Sequence, residues 1–183
     1  EPAGSLDWHL LDEADHHGVL DLIRDLNRVY DEQPALWELD HSHEGFRWLE
    51  PNAANENVLA YARRSKDGKR WLVVACNFAP VVREGWRIGL PQAGKWREAL
   101  NTDSRFYGGS DVGNGLGLVT EKTPWNEQPQ SAEITLPPLG VFNAKNEIDG
   151  VDVDIARAIA ARMGLTLEIV QVGSPDRIPF VNS

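Results

Sequence analysis

The sequence predicts a mainly β chain: an antiparallel sandwich over residues 44–140, preceded by one amphipathic helix and followed by a partial α/β unit. Three observations predict it. From about residue 44 the apolar pattern changes from a three-to-four-residue step to a step of two, which is the period of a strand with one face covered. An Asp67-Gly68 pair sits between two apolar runs, the signal of a hairpin turn. All seven Trp and all three Tyr lie before residue 126, so the last segment is written in a different composition from the rest.

Taken in order, residues 16–32 form a helix in which Val19, Leu22, Ile23, Leu26, Val29 and Tyr30 make one stripe, while Asp21, Arg24, Asp25 and Arg28 face away from it. Pro34 ends it. The strand candidates are Asn57 to Ala62, Arg70 to Phe78, Arg83 to Leu90, Lys95 to Asn101 and Ala132 to Leu136. Short strands with no long helix among them are the pattern of a sandwich. Beyond Pro137-Pro138, Val153, Ala156, Ile159, Ala160 and Met163 repeat at helical spacing, Gly164 stops them, and Thr166 to Val172 reads as a buried strand. Val141-Phe142-Asn143 is too brief to be the strand that should precede that helix. The domains expected are therefore 1–43, 44–140 and 141–183, with a protease-resistant core ending near Leu139.

Composition bounds the function. A net charge of −10 over 183 residues excludes a surface that tracks nucleic-acid phosphates, which needs clustered Lys and Arg. No apolar stretch reaches bilayer-spanning length, so no membrane partner is expected. The chain opens on Glu1-Pro2-Ala3-Gly4 without an initiator Met or a signal segment, as a piece of something longer would. Cys76, inside an apolar run, reads as a small buried thiol, and no cofactor is implied.

Three segments carry a resemblance: Ser5-Leu6-Asp7-Trp8-His9-Leu10-Leu11, His16-His17-Gly18-Val19 leading into Arg24-Asp25-Leu26-Asn27, and Gly94-Lys95-Trp96-Arg97-Glu98-Ala99-Leu100-Asn101-Thr102-Asp103-Ser104. Together with Asn77-Phe78-Ala79-Pro80 and Leu136-Pro137-Pro138-Leu139, they resemble the C-terminal part of bacterial glycogen (1,4-α-glucan) branching enzymes, members of the α-amylase superfamily. The resemblance implies that the helix at 16–32 is the last helix of a (β/α)8 barrel, and that residues from about 44 form the α-amylase-type C-terminal β-sandwich. It also implies an α-glucan partner and a cytoplasmic setting. Family members move an α-1,4-glucan segment to a 6-hydroxyl through a carboxylate nucleophile and a carboxylic acid. Those carboxylates belong to earlier barrel strands, so none is assigned here and the chain is expected to be inactive alone.

Of the candidate site residues, Asp7 and Trp8 are the ones assigned to substrate, because an indole face stacks on the apolar face of a pyranose and the resemblance implies that this loop lies at the functional end of the barrel; the alternative for Trp8 is an indole that packs the barrel against the sandwich. Asp7, Asp12, Glu13 and Asp15 otherwise read as a solvated cluster. His16, His17, His41 and His43 lack metal-ligand spacing. Trp37, Trp48, Trp71, Trp86 and Trp96 are expected in the core, with Trp125 exposed in its Pro-rich loop. Gly108-Gly109-Ser110 and Gly113 to Gly117 read as a flexible sandwich loop. A stand-alone glucan-binding sandwich, the alternative to an enzyme fragment, requires exposed aromatics in a row.

The tail, from Asn143 through Asp152 and Asp154 to Arg177-Ile178-Pro179, resembles part of the first lobe of amino-acid-type periplasmic solute-binding proteins. It lacks the second lobe that closes the cleft. Asp152 and Asp154 are then carboxylates favoured by a helix N-terminus, Arg177 is at most an orphaned ligand contact, and the tail's ligand is unassigned. Because one family works on glucan and the other normally outside the inner membrane, a fusion of fragments is the simplest account.

Overall fold

The computed structural model describes residues 7–115 and 117–146. The tail helix and strand expected at 153–172, together with Asp152, Asp154 and Arg177, lie outside the described residues. Within them, a short 3-10 turn, Trp8–Asp12, leads into α1, Ala14–Glu32, and a second 3-10 turn, Pro34–Leu36, follows. Eight strands come next: β1 Phe46–Ala53, β2 Val58–Arg64, β3 Trp71–Asn77, β4 Arg83–Leu90, β5 Lys95–Asn101, β6 Leu118–Val119, β7 Gln130–Leu136 and β8 Val141–Asn146.

These strands make two antiparallel sheets. One has six strands in the order β1-β2-β3-β8-β5-β6, and the other pairs β4 with β7. Alternation decides which side chains meet between them: Val73 and Ala75 of β3, Phe142 and Ala144 of β8 and Trp96 of β5 enter one core with Ile88 and Leu90 of β4 and Ala132, Ile134 and Leu136 of β7. Every residue of β3 is buried. That explains its unbroken apolar run, because Leu72, Val74 and Cys76 on the other face are covered by Ala35 and Leu36 of the second 3-10 turn. Burial pushes the Cys76 thiol up, consistent with a packing role.

The turn between β2 and β3 is the one its Asp-Gly pair foretells. Gly68 takes φ +71°, and the Asp67 carboxylate accepts from the Ser65 hydroxyl at 2.6 Å and the Lys69 amide at 2.9 Å. Buried indoles keep their N–H satisfied: Trp71 donates to the Gly68 carbonyl at 3.0 Å and Trp96 to that of Gln92 at 3.1 Å.

Three expectations need correction. The boundary at 140 is misplaced, because β8 lies in the middle of the larger sheet between β3 and β5. Asn146 ties its end down, its side-chain oxygen accepting from the Trp71 amide at 2.7 Å and its amide nitrogen donating to the Lys69 carbonyl at 2.8 Å. The first compact unit accordingly extends to Glu147. Trp37 and Trp48 are not core residues; they are 42% and 49% exposed. The Gly-rich loop is fastened rather than free: the Asp103 carboxylate accepts from the Ser110 amide and hydroxyl and the Val112 amide, at 3.0, 2.7 and 3.0 Å. Asn114 exchanges two hydrogen bonds with the backbone of Thr135, at 2.7 and 3.0 Å.

Candidate functional site

β1 is an edge strand, and its side chains alternate between the core and the outside. Leu49 is buried in the core, so its neighbour Trp48 and, two residues back, Phe46 emerge on the outer face. Trp48 stands opposite Tyr61 of β2. Phe46 stacks on Tyr61 with ring centroids 5.3 Å apart and planes at 25°, and Trp48 sets its edge against both, at 4.9 and 6.3 Å. The result is a patch of three rings whose indole is half in solvent.

The patch lies at the edge of the cover on the outer face, where Phe46 and Trp48 stay exposed. The 3-10 turn at Pro34–Leu36 lies over β2 and β3, where Leu36 and Tyr61 pack against the same apolar cluster, and the Arg63 guanidinium donates to the Leu36 carbonyl at 3.0 Å and to Asp40 at 2.8 Å. Burial raises the Tyr61 hydroxyl above its ordinary value, against the lowering by Arg63, so it stays a neutral donor and acceptor near pH 7. Rings with a hydroxyl at one edge can stack on a flat, weakly polar ligand and hydrogen-bond its rim. The signal in the sequence was Phe46-x-Trp48, two aromatics at strand spacing opposite Tyr61.

Asp7 and Trp8 lie elsewhere, at the entry to α1. Asp7 is exposed, its carbonyl accepts from the Leu10 amide at 3.0 Å, and its side chain caps nothing. Trp8 is 64% exposed, and no aromatic pair among the described residues includes it. Asp12, Glu13 and Asp15 are all exposed, as a solvated cluster would be. His17 turns to Asp21 at 2.9 Å. Among the described residues no group of three His, Cys, Asp or Glu is placed to hold a metal ion, and no helix is long and apolar enough to cross a membrane.

A two-sheet antiparallel core with an aromatic patch on one outer face defines an all-β sandwich module. Residues 48–146 match the family model described as alpha amylase, C-terminal all-beta domain, and the chain belongs to that family. Over 138 residues it is 49% identical to the 1,4-alpha-glucan branching enzyme of Myxococcus xanthus, a match covering 75% of this chain and 19% of the relative. The branching enzymes of Aquifex aeolicus and Paraburkholderia xenovorans are 45% and 51% identical, over 78% and 74% of this chain and 23% and 18% of their own lengths. The chain thus spans about a fifth of the length of the curated relatives it matches. Residues 131–183 match a second family model, bacterial extracellular solute-binding proteins, family 3. The overlap of the two matches, 131–146, contains β8 and nearly all of β7, which are sandwich strands.

Proposed function

We propose that residues 7–146 are the C-terminal piece of a 1,4-α-glucan branching enzyme, with no branching activity of their own, and that the sandwich contributes a glucan contact through Phe46, Trp48 and Tyr61. The observation that carries the glucan contact is the exposed three-ring patch on the outer face of β1 and β2. The branching-enzyme reading rests on sequence likeness to enzymes of that name over three quarters of the chain.

The exposed stripe of α1 supports the same reading. Val19, Ile23, Leu26 and Tyr30 are 59, 49, 39 and 49% exposed, an apolar face suited to packing on a barrel. Asp7 and Trp8 would then meet substrate beside that barrel, and Trp8 is a second, separate stacking surface.

Two measurements test it. Incubation with amylose, followed by iodine staining and a count of new α-1,6 ends, is expected to give no ends above a blank. Titration with maltoheptaose is expected to show weak binding that Trp48→Ala reduces about fivefold, since one stacked ring adds about 1 kcal/mol beyond its area. Equal affinity of the two proteins would remove the patch from the argument.

A further inference from the structure

The turn at Trp125 to Gln128 is a two-residue hairpin turn. Asn126 and Glu127 both take left-handed backbone, φ +49° and +59°, at two successive residues that are not glycine. The turn is closed by hydrogen bonds between Trp125 and Gln128 in both directions, at 3.0 and 2.8 Å. It is pressed onto β4, where a Cβ on Gly89 would stand 2.1 Å from the Trp125 carbonyl oxygen, and the Gly89 amide donates to the Asn126 side chain at 3.0 Å. Asn126 also donates to Glu50 of β1 at 3.2 Å. All this fixes an indole that is 48% exposed. Left-handed φ at both central residues is what such a turn takes, and its bonds to β4 and β1 hold Trp125 in place.

Trp125 overlooks a groove of about 590 Å³ between β1 and β4, with Trp86 in its wall. Apart from Ala53 and Gly85 its other walls are polar, with Glu50, Asn52, Glu56, Glu84, Arg87 and Glu133. Arg87 is fully engaged, donating to Glu121, Ser131 and Glu133 at 2.8, 2.9 and 2.7 Å, so it offers no open charge. Glu56 and Glu84 belong to no ion pair among the described residues. They line the groove as carboxylates outside any such pair. A net negative rim repels phosphates and other anions, whereas two indoles with free carboxylate acceptors suit a neutral polyhydroxyl chain.

We propose that this groove is a second glucan-binding site, in which a linear α-glucan segment stacks on Trp125 and Trp86 and donates hydroxyls to Glu56 and Glu84. Phe46, Trp48 and Tyr61 are not among the residues that line it. The choice of glucan rests on the reading given under the proposed function, and the test separates the two.

Titrate maltoheptaose against the full chain, Trp48→Ala, Trp125→Ala, Trp125→Phe and Glu84→Gln, with a thermal melt of each as the folding control. Trp125→Ala is expected to weaken binding about fivefold, the cost of one lost stack, with Trp125→Phe recovering most of it and Glu84→Gln weakening it without touching the turn. Loss with Trp48→Ala but none with Trp125→Ala or Glu84→Gln overturns the second site and leaves the first. No binding by any protein overturns both. A spermidine titration with the same proteins guards the choice of ligand: if Trp125 and Glu84 govern spermidine binding but not maltoheptaose binding, the groove is a cation site and the proposal falls.

Discussion

The Tyr107 hydroxyl donates to the Asp25 carboxylate at 2.6 Å, joining α1 to the loop that follows β5. Asp25 also accepts from Arg28 one turn on, at 2.9 and 3.2 Å. Gly18, about two turns earlier on α1, lies against the Tyr107 backbone. A helix of this length is marginal by itself, and its apolar stripe is largely in solvent, so these contacts at Gly18 and Asp25 fasten it to the sandwich.

Burial and the Asp25 charge hold the Tyr107 hydroxyl well above the ordinary tyrosine value of 10.0. Its folded pKa is raised, so the stability it contributes is fully present below about pH 10 and is lost as the unfolded chain begins to ionise above that. Tyr107→Phe is expected to lower stability at pH 7 by about 1 kcal/mol, a charged hydrogen bond discounted for half-burial, or roughly 2–4 °C in melting temperature. Melts from pH 7 to 11 should show the native protein converging on the variant at the alkaline end.

Gly18→Ala sets propensity against packing. In an exposed helix Ala is favoured over Gly by about 1 kcal/mol. Here the new Cβ would lie 2.6 Å from the Tyr107 carbonyl oxygen, which is backbone and yields little. We expect net destabilisation of about 1–2 kcal/mol, the overpacking cost outweighing the gain. Amide exchange should quicken along α1 while β3 keeps its protection.

The strands with alternating or continuous apolar residues were legible because burial on one or two faces writes itself into the period, as in Arg70 to Phe78 and Ala132 to Leu136. The helix at 16–32 was legible for the same reason. What held it was not, since a tyrosine reaching a carboxylate 82 positions away leaves no local pattern. β8 was misread because Val141-Phe142-Asn143-Ala144-Lys145-Asn146 carries three polar residues on a sandwich strand: Asn143 is 8% exposed in the sheet interior, and Lys145 and Asn146 are half-buried. The aromatic patch was missed because Trp48 was assigned to the core on residue type alone, although Leu49 beside it already filled the inward position.

Glu98 on β5 offers a test in acid. Burial raises its carboxyl above the ordinary glutamate value, the Asp111 charge adds to this, and the hydrogen bond from the Asn114 amide at 3.3 Å works against it. A raised folded pKa means that its favourable contribution is present below the unfolded pKa and lost as pH rises through the folded one. Glu98→Gln keeps an acceptor for Asn114 and removes the buried charge. We expect a small gain in stability at pH 7 that shrinks towards pH 4, read from urea midpoints at the two pH values.

The sharpest test of the architecture is where the sandwich ends. If the domain closed at residue 140, a chain cut there would fold. It is expected not to, because Phe142 and Ala144, 1% and 0% exposed, would leave the core and both β3 and β5 would lose their shared partner. Removing a buried Phe side chain alone costs about 3–5 kcal/mol, a large part of the 5–15 kcal/mol that holds a domain together. A chain ending at 146 keeps β8 and the Asn146 bonds to Trp71 and Lys69. It is expected to melt cooperatively near the temperature of the full chain, while the chain ending at 140 shows no cooperative transition by calorimetry. Limited proteolysis of the full chain, read by mass spectrometry, should then give a resistant fragment whose C-terminus falls at or beyond Asn146. A stable fragment ending near Leu139 would mean that β8 is dispensable and that the larger sheet closes without it.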